Sequence, residues 1–545
     1  GELEVALGGV IRRDLTPKAL AKGAITLNPG EERRRSGSHY TARELTRPLV
    51  GKAFEPHFNR LGEKPRASDI LTMTICDPAM GSGAFLVEAC RQLSAKVVKA
   101  WDDYPEDKPA IPEGESIEFV ALRTVAQRCI FGVDRNPVAV DLAKMSMWLL
   151  TISKDHPFTF MDHSMKHGDA LVGMSKEQIR KFHWDLSKGG SILPELRTLD
   201  REVEEAVQAR LMLRNLDADR TLELEVTLAE ADRKMMKAKQ AGDLLVYIWF
   251  SQDRPKARNE TRDRYTDKFT EALQPGSIER KEINEIRFAP KPLAPFHWDL
   301  EFPEVFACGG FTAFVGNPPF AGKNNVSKGN IRNYLDYLTS LVTPEASGRA
   351  DLVGHFFYKA YGLIKPTGSL SLIATKTVRQ GDTRESSLSL IVKKGGVIYD
   401  AKRRVAWPGK AAVVISVISI TKDSTYENRQ LDGHPVRNIC SFLIEADVED
   451  TPPPLASNSQ KSFQGTITLG MGFTFQDGNP SVTSISEMND IILQEPSSKD
   501  LIKIYIGGDQ VNNQAVFTPE RYTIDFGEMS ESEASSHRSL WKIVK

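Results

Sequence analysis

A chain of 545 residues, 26% charged and 40% hydrophobic, has material for about two to four domains with substantial cores. Its formal net charge of −1 argues against a global basic field for nucleic acid and leaves only local patches, such as Arg33-Arg34-Arg35 and Lys402-Arg403-Arg404. Five scattered cysteines without a Cys-x-x-Cys pair argue against a disulfide framework or zinc ribbon and fit a reducing compartment; no apolar run approaches the ~18 residues of a membrane-spanning helix, and no signal peptide is visible.

The first thirty or so residues are weakly patterned and end at the turn signal Asn28-Pro29-Gly30. The stretch Gly37 to Leu45 leads into an amphipathic helix, with Thr41 and Glu44 spaced as a capping box. It reads equally as a helix start and as a place where free N–H groups hold a small carboxylate. Ile70–Ile75 is β-rich and predicts a strand. It runs into Asp77-Pro78-Ala79-Met80-Gly81-Ser82-Gly83 and then a helix through Leu86, Cys90, Leu93 and Val97. Strand, two-glycine turn and helix make the first half of a nucleotide-binding unit, in which glycine lets backbone approach the ligand. A second strand, Cys129–Val133, ends at Asp134, which either caps the following helix or accepts hydrogen bonds from a ribose. That helix begins at Asn136-Pro137, with apolar residues at Val138, Leu142, Met145 and Leu149. A third strand ends near His167-Gly168-Asp169-Ala170, where Asp169 caps a turn or receives an adenine amino group.

From Lys176 to Pro295, Leu196, Leu199, Val203, Val207 and Leu211, then Leu224, Leu228, Ala231 and Met235, keep helical spacing amid dense charge. This predicts a helical hairpin turning near Asn215–Asp219, inserted between the third and fourth strands. His163, His167, His183 and His297 lack metal-ligand spacing, so no metal is expected.

The apolar run Phe311–Gly316 predicts a buried strand ending at Asn317-Pro318-Pro319-Phe320. Asparagine offers a carbonyl acceptor, proline brings no competing N–H, and the aromatic ring gives a planar base a face to stack on. The same four residues would also serve simply to end a strand. Gly322–Asn325 reads as a polar loop containing Lys323, and 352–364 as an amphipathic helix whose Phe356, Phe357 and Tyr361 belong to the core. Ser369–Ala374 is the fifth strand, and Val397–Tyr399 with Ala411–Ile418 a terminal antiparallel pair. Their connection is expected to carry Lys402, Arg403, Arg404 and Trp407 as a basic, aromatic loop. Past Lys422 the composition turns polar, with β-like runs at Phe463–Phe475, Ile502–Ile506 and Tyr522–Phe526. The predicted organisation is an N-terminal segment 1–36, core halves 37–175 and 301–422 around a helical insertion 176–300, and a linker with C-terminal segment 423–545.

Taken in order, Gly37–Leu45, Asp77–Phe85, Asp134–Pro137, Gly168–Leu171 and Asn317–Phe320 resemble the motifs of gamma-class adenine-N6 DNA methyltransferases. The resemblance covers roughly Ser36 to Lys422. Thr375–Arg384 and Trp407–Val413 look like the methylase part of single-chain type IIG/IIL restriction-modification enzymes and the adenine methylases of BREX and DISARM phage defence. The resemblance implies a Rossmann-like class I α/β sheet with an antiparallel terminal strand, S-adenosylmethionine as cofactor, double-stranded DNA as partner, other restriction or defence subunits as further partners, and a cytoplasmic location. It places Tyr40, Thr41, Asp77, Ala79, Gly81, Gly83, Asp134, Asp169 and Ala170 at the cofactor. Asn317, Pro318, Pro319 and Phe320 fall at the reacting base, with Phe320, Lys323, Arg403, Arg404 and Trp407 along the substrate. An RNA or protein-glutamine methyltransferase and a non-catalytic DNA-sensing scaffold remain open beside it. No Gly-x4-Gly-Lys-Ser/Thr loop or nuclease carboxylate cluster stands out, so cleavage is not expected of this stretch.

Overall fold

The computed structural model describes residues 41–111, 114–151, 161–188, 193–215, 221–272, 277, 281, 292–408, 414–447, 449, 471–507, 519–527 and 529–545. Tyr40, the Arg33–Arg35 run, the 1–36 segment and most of the predicted strand from Phe463 lie outside them. The chain divides into two compact units, Gly1–Glu449 and Asp450–Lys545.

In the first unit nine described strands form one sheet: β1 (Ile75–Asp77), β2 (Ile130–Asp134), β3 (Met165–His167), β4 (Phe311–Gly316), β5 (Ile364–Thr375), β6 (Val397–Ala406), β7 (Val414–Thr421), β8 (Gln430–Leu431) and β9 (His434–Pro435). Their order is β3-β2-β1-β4-β5-β7-β6-β8-β9, parallel from β3 to β5, with β7 antiparallel to β5 and to β6. The α/β sheet with an antiparallel terminal strand is therefore present. The chain moves outward from β1 to β3 and then returns to the other side of β1 as β4. That reversal opens a crevice at the carboxyl ends of β1 and β4, the place where open parallel sheets bind ligands.

β4 is buried along its whole length, as expected of a strand covered on both faces. Phe311 and Phe314 join one core with Leu244 of the insertion and Phe357 of the helix Leu352–Leu363. Ala313 and Val315 join the other, with Leu49 and Phe85. The helices that position the site are α1 (Arg43–Leu61), α2 (Ala84–Asp103), α3 (Pro137–Thr151), α4 (Leu199–Asn215), α5 (Thr221–Ser251), α6 (Lys323–Gly329), α7 (Tyr334–Tyr337) and α8 (Leu352–Leu363). α4 and α5 are the predicted hairpin, and they pack on the sheet unit. Lys166 of β3 and Lys239 of α5 hold Glu301 at 2.9 and 3.0 Å, and buried Arg210 of α4 reaches Asp232 at 2.9 Å.

Four local expectations need correction, and the helix expected from Asn136-Pro137 is present with a buried face that the sequence did not define. Thr41 and Glu44 do not form a capping box: α1 begins after Ala42, without a side-chain cap, and the Thr41 hydroxyl is engaged elsewhere. The strand expected at Ile70–Ile75 starts only at Ile75, because the carboxylate of Asp69 accepts the Arg66 N–H and closes a helical turn over Ala67–Ile70. On α3 the stripe Val138, Leu142, Met145 and Leu149 is exposed, while Ala139, Val140, Ala143 and Met147 are buried. Lys402, Arg403 and Arg404 lie within β6 rather than in a loop, since the ladder to β7 uses backbone groups and lets the charged side chains face out. Lys323–Asn325 begins α6 instead of a loop, with the N–H groups of Asn325 and Val326 donating to Gly322 and Val326 buried beneath.

Beyond Lys422 the chain stays on the sheet, where β8 runs parallel to β6. In the second unit β10 (Thr474–Phe475), β11 (Ile502–Ile504) and β12 (Tyr522–Ile524) form an antiparallel sheet over Phe475, Met488, Leu501 and Leu540.

Candidate active site

The crevice is built first from the turn that follows β1. Met80 N–H donates to the Val133 carbonyl at 3.0 Å, tying the turn to β2, and Gly83 N–H donates to the Met80 carbonyl at 2.8 Å. Gly81 and Gly83 have φ of +53° and +83°, which side-chain-bearing residues adopt only with strain. A Cβ at Gly83 would also sit 3.3 Å from Ala143 of α3. This close approach accounts for the small residue at position 143, where the helix comes down on the turn.

Two carboxylates hold that turn from inside. Asp77, 1% exposed, accepts the Ala79 N–H on Oδ1 at 3.0 Å, while its Oδ2 has no partner. Asp134 accepts Gly81 N–H on Oδ2 at 2.9 Å and Asn136 N–H on Oδ1 at 2.7 Å. Asp134 therefore ties the glycine turn to the start of α3, and its expected capping role is filled; its oxygens keep further lone pairs for a ligand. Burial pushes the Asp77 carboxyl well above the usual carboxylate range, against the Ala79 N–H, and the Asp134 charge adds to the rise. Burial also raises Asp134, opposed by the N–H groups of Asn136 and Gly81.

Across the crevice, β4 ends at Gly316, a position with no room for a side chain: a Cβ there would lie 2.6 Å from Asp77 Oδ1. Asn317 follows. Its Nδ2 donates to Thr41 Oγ1 at 3.4 Å, and its buried Oδ1 has no partner. Pro318 is buried, and half-buried Phe320 packs between both cores. The peptide then leaves under control of Asp351, whose Oδ1 accepts from Ala321 N and from Val353 N, each at 3.1 Å. Thr41, Ser82, Glu88 and Ser146 line a cavity of about 220 Å³ beside Asn317's partner.

At the end of β3, Asp169 is 3% exposed and already engaged. Tyr334 Oη lies 3.1 and 2.9 Å from its two oxygens, and Leu171 N–H donates to Oδ1 at 3.1 Å. Ala170 is buried, and its carbonyl accepts from Trp298 Nε1. The structure thus gathers Thr41, Asp77, Ala79, Gly81, Gly83, Asp134 and Asn317 around one crevice through direct contacts. Trp407 is half-buried against the core that Phe320 also touches, Lys323 and Arg404 are exposed, and Arg403 donates to Asp432 at 2.6 Å. Sequence reasoning missed Asp351 and Tyr334. An Asp directly before the apolar helix 352–364 was a readable cap signal. Tyr334 sits 165 positions from its partner and gave none. Among the described residues, no group of three or more His, Cys, Asp or Glu could hold a metal ion, and no helix is long and apolar enough to cross a membrane.

Residues 25–184 match the N-6 DNA Methylase family, and residues 128–394 match the Eco57I restriction-modification methylase family. Both matched stretches are similar to N6-adenine DNA methylases. Over 334 residues the chain is 24% identical to segments of a Methanocaldococcus jannaschii protein named as a type II restriction enzyme and methyltransferase, covering 56% of this chain and 26% of that one. Over 247 residues the chain is 24% identical to DNA methyltransferase A of Bacillus subtilis, covering 42% of this chain and 28% of the relative. The chain thus spans about a quarter of the length of these curated relatives. Among solved structures, the type IIL restriction-modification enzyme MmeI in complex with DNA is similar at 18% identity and a TM-score of 0.41, covering 95% of this chain and 55% of that one.

Proposed function

We propose that this chain transfers a methyl group from S-adenosylmethionine to the N6 amino group of an adenine flipped out of double-stranded DNA, as self-marking in a restriction-modification or phage-defence system. The same reading carries a cytoplasmic location and leaves room for other subunits of such a system as partners. The observation that carries it is the buried Asn317 Oδ1, an acceptor without a donor at the rim of a switch-point crevice. A buried unpaired carbonyl costs roughly 1–3 kcal/mol, so it marks a place prepared for an N–H from outside the chain.

The residues fit the cofactor: Asp77 has a free buried oxygen, and the positive-φ glycines leave backbone open to close approach. Thr41, Asp77, Ala79, Gly81, Gly83, Asp134, Asp169 and Ala170, with Tyr40 ahead of them, would hold S-adenosylmethionine, which supplies an electrophilic methyl carbon on a sulfonium. Asn317 Oδ1 and the Pro318 carbonyl accept hydrogen bonds from the two N6–H groups and draw the nitrogen lone pair out of conjugation with the ring. Pro319 keeps the turn rigid, and Phe320 with Trp407 offers ring faces for a base that has lost its stacking neighbours, a loss of a few kcal/mol. Lys323, Arg403 and Arg404 are the cationic candidates for the DNA backbone. No covalent enzyme adduct is required, so the protein's contribution is positioning and fixed dipoles.

The test is transfer of labelled methyl from S-adenosylmethionine to unmethylated DNA, followed by nucleoside analysis. The reading predicts label in N6-methyldeoxyadenosine. Label in N4-methylcytosine, in RNA or in protein would overturn the base assignment, and no transfer to any acceptor would overturn the activity.

A further inference from the structure

The chain downstream of Asn317 returns to the cofactor half and grips it. Asn333 takes a φ of +65°, a left-handed conformation that asparagine tolerates better than most residues, and this sharp turn starts α7 with Tyr334 pointing inward. Tyr334 is 3% exposed, and its hydroxyl lies 3.1 and 2.9 Å from the two Asp169 oxygens. One turn later Tyr337 Oη donates to the Gly173 carbonyl at 2.8 Å and accepts the Gly173 N–H at 3.0 Å. Both ends of Asp169–Gly173 are therefore held by phenols from the segment that follows the Asn-Pro-Pro-Phe turn. A third tie links Asn330 Oδ1 to the guanidinium of Arg135, the neighbour of Asp134.

We propose that Tyr334 is the positioning residue that fixes the Asp169 carboxylate for the 6-amino group of the cofactor's purine, so that selection of a 6-amino over a 6-oxo nucleoside is set from the catalytic half of the chain. This rests on the reading of Asp169 as the contact to the cofactor's adenine. The phenol can only donate to a carboxylate, so it occupies one set of lone pairs and leaves others directed at a second donor. With Tyr334 in place, the carboxylate does not have to be ordered when ligand arrives. A 6-amino group donates to that acceptor, whereas a 6-oxo group presents oxygen to oxygen. Without the phenol, Asp169 keeps the Leu171 N–H at 3.1 Å and an ion pair with Arg135 at 4.0 Å, and loses the hydroxyl that reaches both of its oxygens.

The experiment is calorimetric titration of S-adenosylhomocysteine and its 6-oxo analogue, S-inosylhomocysteine, into wild type, Tyr334→Phe, Tyr337→Phe and Asp169→Asn. Tyr334→Phe keeps the ring and its packing. It should weaken S-adenosylhomocysteine about tenfold while changing the inosyl analogue less than about twofold, compressing the discrimination between them. Tyr337→Phe should weaken both equally and leave the ratio intact. An equal loss of both ligands in Tyr334→Phe, or no loss, reduces Tyr334 to packing and overturns the proposal, provided Asp169→Asn still alters the ratio. If Asp169→Asn leaves the ratio unchanged as well, the adenine contact itself is wrong and the proposal falls with it.

Discussion

Replacing Gly316 by alanine puts a methyl group where Asp77 already is. The added Cβ would lie 2.6 Å from Asp77 Oδ1 and 3.1 Å from Cγ, against an ordinary contact of 3.4 Å or more. Asp77 cannot yield cheaply: it is 1% exposed, its side chain is short, and Oδ1 holds the Ala79 N–H at 3.0 Å. Rotating the carboxyl away leaves the half-buried Ala79 N–H without its acceptor, at a cost of ~1–3 kcal/mol. Leaving it in place forces β1 and β4 apart, and overpacking of this kind costs ~1–3 kcal/mol. Either route gives a loss of about 2 kcal/mol. Urea unfolding of wild type, Gly316→Ala, Asp77→Ala and the double variant measures it. With the carboxylate gone the added methyl meets little, so its cost should fall below ~0.5 kcal/mol and the cycle should show a coupling of more than 1 kcal/mol. Additivity of the two substitutions would refute the contact. Methyl transfer should fall further than stability does, because Asn317 is the next residue and a shift of ~1 Å in such a group costs on the order of 100-fold.

The raised Asp77 carboxyl predicts a pH effect with a definite sign. Above its ordinary titration range the unfolded chain has released a proton that the native state retains, so stability falls as pH rises; Asp77→Asn removes the effect, and its stability relative to wild type, read by urea unfolding, should increase as pH rises above the ordinary carboxylate range. A pH-independent difference contradicts this. His57 and His355 are both pushed down from 6.5 to about 4, chiefly by burial, with Lys365 and Arg60 adding to the shift at His57. Their contribution is complete above pH ~6.5 and lost as pH falls toward ~4, by ~2–3 kcal/mol each, so His355→Asn should flatten the acid limb of a denaturation profile. If the limb is unchanged, the burial argument for His355 fails. Arg404→Ala should weaken DNA binding and reduce the slope of log affinity against log salt by about 0.9, read by fluorescence anisotropy. Arg403→Ala should do less, since that guanidinium is committed to Asp432 at 2.6 Å; equal effects contradict the pairing.

The glycine turn, the carboxylates at the ends of β1 to β3 and the Asn-Pro-Pro-Phe strand were legible because their signals are local: a backbone conformation only glycine takes easily, or an apolar run cut by a polar residue and proline. The helix α3 was legible but its buried face was not: the larger residues from Val138 to Leu149 make a periodic stripe that stays exposed, while Ala143 closes on the Gly83 turn. β6 was cut short at Tyr399 because Lys402-Arg403-Arg404 looked like loop, yet strand pairing is indifferent to side chains that face water. The Asp169–Tyr334 contact joins residues 165 positions apart and depends on the strand order, which no local pattern encodes.

The measurement nearest the centre is Asn317→Ala against wild type, with S-adenosylhomocysteine affinity and methyl transfer to DNA read on the same preparations. The substitution removes the acceptor for the incoming amine together with one long 3.4 Å bond to Thr41, so it should leave the affinity within about threefold and lower transfer by at least ~100-fold. Parallel loss of both would make Asn317 a structural residue, and retention of transfer would mean that the amino group is gripped somewhere else.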